Sequence, residues 1–154
     1  MLEIYYNGIW NEWKSASLQE WLIYNYGSVI EPLTLSGVAN YQSEYIQLCQ
    51  KTTGSTIGLL FSENKIDVTN YNTLNVECYA QVIRDSSSSN FSFGFTDTIV
   101  SNDPTYTGNN YSINDTTKTV DDLITIDISE IKGSYYLAMQ GYRSNVNIRK
   151  IWLS

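Results

Sequence analysis

The amino-acid pattern predicts an all-β fold, an antiparallel sandwich or barrel, and three observations carry that prediction. Short runs rich in Ile, Val, Thr, Tyr and Phe recur along the whole chain of 154 residues. In the clearest run, "TLNVECYAQV" (73–82), Leu74, Val76, Cys78, Ala80 and Val82 alternate with Asn75, Glu77, Tyr79 and Gln81. Side chains on a strand repeat every two residues, so such a strand buries one face and wets the other, as in an antiparallel sheet. Finally, clusters of Asn, Asp, Gly, Ser and Thr separate the runs, and these residues favour turns. The length fits one domain, residues 1–154, large enough to bury a substantial core.

Taken in order, "LEIYY" (2–6) ends at Asn7-Gly8, a hairpin dipeptide. "SLQEWLIYNYG" (17–27) carries a capping-box spacing, Ser17 to Glu20, and a glycine where a helix could stop, so a short helix or irregular turn is expected there. "VIEPLTLS" (29–36) contains Pro32, which suits an edge strand or a bulge. "EYIQLCQ" (44–50) points Ile46 and Leu48 one way and Tyr45, Gln47 and Cys49 the other. "TIGLLF" (56–61) follows a Thr-Thr-Gly-Ser turn, and the polar "IDVTNYNT" leads into strand 73–82. "NFSFGFT" (90–96) sets Phe91, Phe93 and Phe95 against small residues. Ser86–Asn90 and Ser101–Asp115 read as polar loops. "DLITIDIS" (122–129) alternates Ile124, Ile126 and Ile128 with Thr125 and Asp127. "SYYLAMQGY" (134–142) and "NVNIRKIWLS" (145–154) close the chain, and the phase slip from Val146 and Ile148 to Ile151 and Leu153 predicts a bulge near Arg149-Lys150.

Composition excludes several functions. A net charge of −7 opposes nucleic acid and anionic membranes as partners. The absence of histidine removes Ser-His-Asp triads and His-ligated zinc, and two cysteines build neither a four-thiolate site nor a disulfide framework. No apolar run has the length of a bilayer span and no secretory signal pattern stands out. Thirteen tyrosines and four tryptophans, against four phenylalanines, favour aromatic rings with a polar handle, which suit recognition surfaces as well as cores.

Three kinds of site are open to these residues. Paired carboxylates for a glycosidase would come from Glu77, Asp127 or Asp121-Asp122, though nothing in the sequence brings two of them together. "NDPTYTGNN" (102–110) and "INDTT" (113–117) offer oxygen ligands for a structural calcium ion, without EF-hand spacing. No other cofactor is called for. The third is the polar face of the strands, where Tyr79 and Gln81, Tyr136, Gln140 and Tyr142, and Tyr45 and Gln47 interleave rings with amides. Rings stack on the apolar C–H faces of sugars, and amides serve their hydroxyls.

These residues carry a resemblance. "EIYYNG", "IDVTNYNTLNVE", "LITIDISEIKGSYYLAM" and "IRKIWLS" resemble the opening, inner and final strands of jelly-roll domains in phage and prophage tail proteins of Gram-positive bacteria. Those are similar in turn to carbohydrate-binding modules of the galactose-binding-like kind. The resemblance implies an antiparallel β-sandwich of jelly-roll type with at most one short helix. It also implies that Asp67, Thr69 and Asn70 satisfy backbone groups ahead of the central strand while Tyr71 covers the core edge. A jelly roll would place 44–50, 134–142, 73–82 and 90–96 side by side in one sheet. Tyr79, Gln81, Tyr136 and Gln140 would then centre a shallow saccharide site, with Tyr142, Tyr45 and Gln47 at its margins. The expected function is a non-catalytic module for a cell-surface glycan, in a virion tail or outside cells after lysis. A homo-oligomer or a tail protein is the expected protein partner. The alternatives are a structural tail or decoration domain and, third, a glycan-active enzyme.

Overall fold

The computed structural model describes residues 3–6, 9–12, 20–50, 57–84, 90–99 and 102–154, and among these it contains fifteen strands and no helix. Strands β1 (Glu3–Tyr6) and β2 (Ile9–Glu12) pair with each other, Tyr6 opposite Ile9, and Asn7-Gly8 lies outside the described residues. The others form two antiparallel sheets packed as a sandwich, which is the predicted class.

The first sheet holds β3 (Trp21–Asn25), β4 (Ser28–Val29), β6 (Asn40–Tyr41), β7 (Ile46–Cys49), β10 (Thr73–Val82), β13 (Thr119–Asp127) and β15 (Ser144–Leu153). The second holds β5 (Leu33–Gly37), β8 (Ile57–Ser62), β9 (Ile66–Asp67), β11 (Phe91–Thr96), β12 (Thr107–Ile113) and β14 (Ser134–Tyr142). The order of the first is β13-β10-β15, after which β3 and β7 share the far edge of β15 end to end. The order of the second is β12-β11-β14-β8-β5. Fully buried Val76, Ile148 and Ile23 from one sheet meet Leu60, Phe93 and Met139 from the other in one core.

The expected sheet order is therefore corrected. Strand 134–142 lies between β11 and β8 in the second sheet, and the place beside β10 belongs to 144–153. A single residue, Arg143 at φ +49, carries the chain from β14 across to β15. Alternation tells which face a side chain takes and says nothing about which strand lies alongside. The expected bulge does sit at Arg149: Glu77 opposes Lys150 while the next residue, Cys78, opposes Ile148.

Two further expectations change for a common reason. In place of a helix, residues 21–25 form a strand in which Ile23 and Tyr24 are both buried, because a register shift against Ile151/Trp152 breaks the alternation. Likewise Leu48 and Cys49 are both buried beside a shift at Val146/Asn147, so Cys49 does not face outward. Residues 107–113 of the supposed loop are strand β12. Ser17 and most of Ser86–Asn90 lie outside the described residues. Pro32 separates β4 from β5, an edge strand, in keeping with its missing N–H.

The segment ahead of β10 is a cap. Asp67 accepts the Thr69 N–H (3.0 Å), Thr69 Oγ1 accepts the Gly133 N–H (3.0 Å), and Tyr71 packs on the core edge against Trp21 with ring centroids 5.9 Å apart. Asn70 is exposed. The hydrogen bonds from Thr69 hold the Asp67 carboxyl below its ordinary pKa. Asp115 and Asp127 are lowered in the same way by Thr117 and Ser129. A depressed folded-state pKa stabilises above the unfolded value and is lost as pH falls through the folded value. Acid unfolding should therefore draw on these three groups below the ordinary carboxyl value of 3.8. Replacing all three by Asn is expected to flatten the acid limb of a melting-temperature-against-pH profile, and an unchanged limb would remove them from the account.

Both cysteines are buried thiols outside any disulfide. Burial pushes the Cys78 thiol up to about 12, so it is expected to resist alkylation at pH 8 in the native protein. Denatured without reductant, the chain should titrate two thiols, and a count of zero would mean a disulfide.

Candidate functional site

On β10 the side chains of Glu77, Tyr79 and Gln81 face away from the core, since Cys78 and Ala80 between them are buried. Pairing extends this outer face across the sheet. Asn40 opposes Gln47, Gln47 opposes Asn147, Asn147 opposes Tyr79, and Tyr79 opposes Asp121, a row over β6, β7, β15, β10 and β13. The neighbouring row sets Asn145 and Thr119 on either side of Gln81. Tyr45, Gln47, Cys49, Gln50, Tyr79, Asn145 and Asn147 line a shallow pocket of about 250 Å³ here. Tyr79 Oη donates to Gln81 Oε1 (3.2 Å), and Asn40 Nδ2 donates to Gln47 Oε1 (3.4 Å).

The structure thus gathers Tyr79, Tyr45 and Gln47 in one pocket with Gln81 beside it. It separates them from Tyr136, Gln140 and Tyr142, which lie on β14 in the other sheet, roughly 10 Å away across the core. The seven residues do not form one surface. Gln140 is buried under the segment before β12: it accepts the Asp103 N–H (2.8 Å) and donates to Asp103 Oδ1 (3.0 Å). Tyr106 of the same segment packs on Leu59, Phe61 and Ala138, with its Oη 2.8 Å from Ser92 Oγ. The small residues between the phenylalanines of β11 explain this, because a Cβ on Gly94 would stand 2.9 Å from the Tyr106 ring. Lys65 approaches the Tyr136 ring (5.5 Å) and Arg143 covers the Tyr142 ring (4.7 Å).

Asn145, Asn147 and Gln50 escaped the sequence reading. The alternation of Asn145 and Asn147 with buried Val146 and Ile148 was the signal that could have found the first two.

The acids are committed elsewhere. Arg149, the bulge residue, donates from its Nη2 to Asp121 (2.7 Å), and its Nε stands 3.4 Å from Glu77. Glu77 also accepts from Tyr26 Oη (2.5 Å), a bond that raises the Tyr26 pKa. Glu77 and Asp121 therefore share one guanidinium in place of an open gap for a scissile bond. Asp127 opposes Thr73, at the far end of β10, and caps Ser129.

No protein-family model matches the sequence, and no curated protein sequence matches it. Solved structures do match in shape. The exoplasmic/lumenal domain of VIP36, in a form with Ca2+ and Man3GlcNAc bound, is 10% identical with a TM-score of 0.55, over 80% of this chain and 84% of that one. The metal-free carbohydrate recognition domain of Emp46p is 11% identical with a TM-score of 0.55, over 86% of this chain and 95% of that one. The carbohydrate recognition domain of Emp47p is 13% identical with a TM-score of 0.51, over 82% and 89%. At such identities the likeness is one of fold: this chain is an antiparallel β-sandwich of the architecture used by these carbohydrate recognition domains.

Among the described residues a calcium ion finds no carboxylate cluster. Among the described residues no three Asp, Glu, His or Cys side chains come together. Asp103 is held by Gln140 and Asp115 by Thr117, so the two stretches expected to offer ligands use their carboxylates within the fold.

Proposed function

We propose that this protein is a non-catalytic carbohydrate-binding module whose site is the tyrosine and amide pocket on the outer face of the first sheet. The observation that carries the reading is the pocket's lining. Two phenolic rings and four carboxamides converge on about 250 Å³, on a sandwich shared with carbohydrate recognition domains. Phenolic rings supply flat apolar faces for sugar C–H groups, and each carboxamide both donates and accepts for hydroxyls. No titrating group is needed, which suits a chain without histidine. The VIP36 domain with Man3GlcNAc or mannose bound, similar in fold, supports a glycan as the partner.

The resemblance of the strand and turn motifs supports a phage or prophage tail as the setting, with the glycan on a host cell surface and the module acting in the virion tail or outside cells after lysis. Weak single sites would then gain attachment strength from several copies.

The test is a glycan array followed by calorimetry on the ligand it identifies. Tyr79→Ala and Asn147→Ala are expected to weaken binding about tenfold each, the scale of one aromatic or polar contact. Tyr136→Ala, on the opposite sheet, should bind as the parent does. Folded pocket variants with parental affinity would move the site elsewhere.

A structural or decoration role is the second reading, and exposed Tyr26, Val29 and Ile30 around the edge strand β4 favour it. A concentration-dependent increase in mass, abolished by Val29→Lys, would support that role.

A further inference from the structure

We infer that the pocket selects uncharged glycans and rejects those carrying carboxylate or phosphate groups, an inference that rests on the carbohydrate reading and narrows it. Every residue lining the pocket is uncharged: Tyr45, Gln47, Cys49, Gln50, Tyr79, Asn145 and Asn147. The next row, Gln81 with Asn145 and Thr119, is neutral as well. Anionic sugars are held by guanidinium or ammonium groups, whose charge-assisted bonds are about twice as strong as neutral ones. Among the described residues this face carries Arg149 and Lys150 of β15, both engaged, while Arg143 and Lys118, just before β15 and β13, lie over the Tyr142 ring and beside Asp115.

Arg149 faces two carboxylates, Asp121 at 2.7 Å and Glu77 at 3.4 Å, so its neighbourhood carries an excess of negative charge. Asp121 is also the direct cross-strand neighbour of Tyr79, which brings that acid to the pocket's border. Lys150 lies over the Trp152 ring at 4.3 Å and opposes Glu77 in register. Among the described residues of β15, an approaching phosphate or uronate would meet these carboxylates with both cations already engaged, on a chain whose net charge is −7. A hydroxyl or acetamido group meets no such barrier. Each carboxamide presents two N–H donors and one acceptor oxygen, matching groups that give and take one hydrogen bond apiece.

The row itself favours a chain of sugars over a single one. Asn40, Gln47, Asn147 and Tyr79 stand on four adjacent strands, which are spaced about 4.8 Å apart. That step is close to the length of one pyranose unit, so successive neutral units laid across the strands would each meet one side chain of the row.

The experiment compares neutral polymers (a glucan, a galactan, a mannan and a poly-N-acetylglucosamine) with a polyuronate and a poly(glycerol phosphate). Binding is measured at low and high salt on the parent, Tyr79→Ala and Asn147→Ala, all checked for parental melting. The expected result is binding of at least one neutral polymer, changed less than about twofold by salt because no ion pair is made, and weakened about tenfold by either substitution. A polyanion that binds with steep salt dependence and loses affinity in both variants would overturn the inference while leaving the carbohydrate reading in place. A neutral polymer bound equally well by both variants would overturn it too, since the selecting pocket would not be the binding site. If neither class binds, the carbohydrate reading itself fails and this inference falls with it.

Discussion

Val76→Asp is expected to yield no folded protein, whereas Val76→Ala should fold with a clearly lowered melting temperature. Val76 is fully buried in the middle of β10, opposite Ile124 of β13 on one side and Ile151 of β15 on the other. Removing two methyl groups there loses transfer energy and leaves a small cavity, a cost on the order of 2 kcal/mol. A carboxylate at the same place finds no cation or donor among its aliphatic neighbours. Burying it unpaired costs several kcal/mol whether it stays charged or takes up a proton, and a domain has only about 5–15 kcal/mol in all. Circular dichroism and a thermal melt separate the outcomes. A cooperative transition for Val76→Asp near the parental temperature would mean that β10 does not run through the core.

The adjacent position gives the contrast. A surface Glu on a wet strand should tolerate Ala with little effect, but Glu77 has partners that the sequence does not reveal. It accepts from Tyr26 Oη, at the β3–β4 turn, and stands beside the Arg149 guanidinium. Glu77→Ala is therefore expected to cost about 1 kcal/mol, the upper range for a partly exposed ion pair. In a chain of this size that is roughly 2–4 °C of melting temperature. It should also free the Tyr26 hydroxyl to titrate at a lower pH, since the bond to Glu77 is the main reason its pKa is raised.

Local chemistry was legible in the sequence, and long-range partnership was not. The alternation of Leu74 to Val82 and of Ile124 to Ile128 gave the right faces because a strand's period is set by its own backbone. The slip after Ile148 gave the bulge at Arg149 for the same reason. Alternation failed at Ile23-Tyr24 and at Leu48-Cys49, where shifted registers turn two successive side chains inward. It could not say that β15, and not β14, lies beside β10, because one residue at Arg143 separates the two strands and either could have crossed. The candidate site divides along that line. Tyr79, Gln81, Tyr45 and Gln47 share a face because β10 and β7 flank β15. Tyr136, Gln140 and Tyr142 do point outward as their alternation predicts, but from the other sheet. Gln140 reads as open surface from its strand alone, yet the Asp103–Tyr106 segment covers it, and a loop's resting place is not written in the strand beneath it.

Gly58→Ala should be nearly as damaging as the buried charge, at about 3 kcal/mol or more and on the order of 10 °C of melting temperature. Gly37, Gly58 and Gly141 stand in one row across β5, β8 and β14 of the second sheet. The end of β7, from the first sheet, comes directly against the last two. A Cβ on Gly58 would overlap the Leu48 carbonyl oxygen and stand 2.7 Å from its carbon, and a Cβ on Gly141 would stand 2.7 Å from Cys49 Cβ. Glycine inside a strand commonly marks such a close approach of backbone to backbone. The obstacle at Gly58 is main chain, so no rotamer change relieves it. The end of β7 has to lift, and with it Cys49 and the neighbouring Gln50, which line the pocket. Two readouts should therefore move together in Gly58→Ala: the melting temperature, and the glycan affinity of whatever fraction stays folded. Ser36→Ala, at an exposed position on β5 one residue from Gly37, should move neither. A Gly58→Ala protein that melts within a degree or two of the parent would mean that β7 does not rest on the glycine row. The pocket floor would then have to be held in place by some other contact.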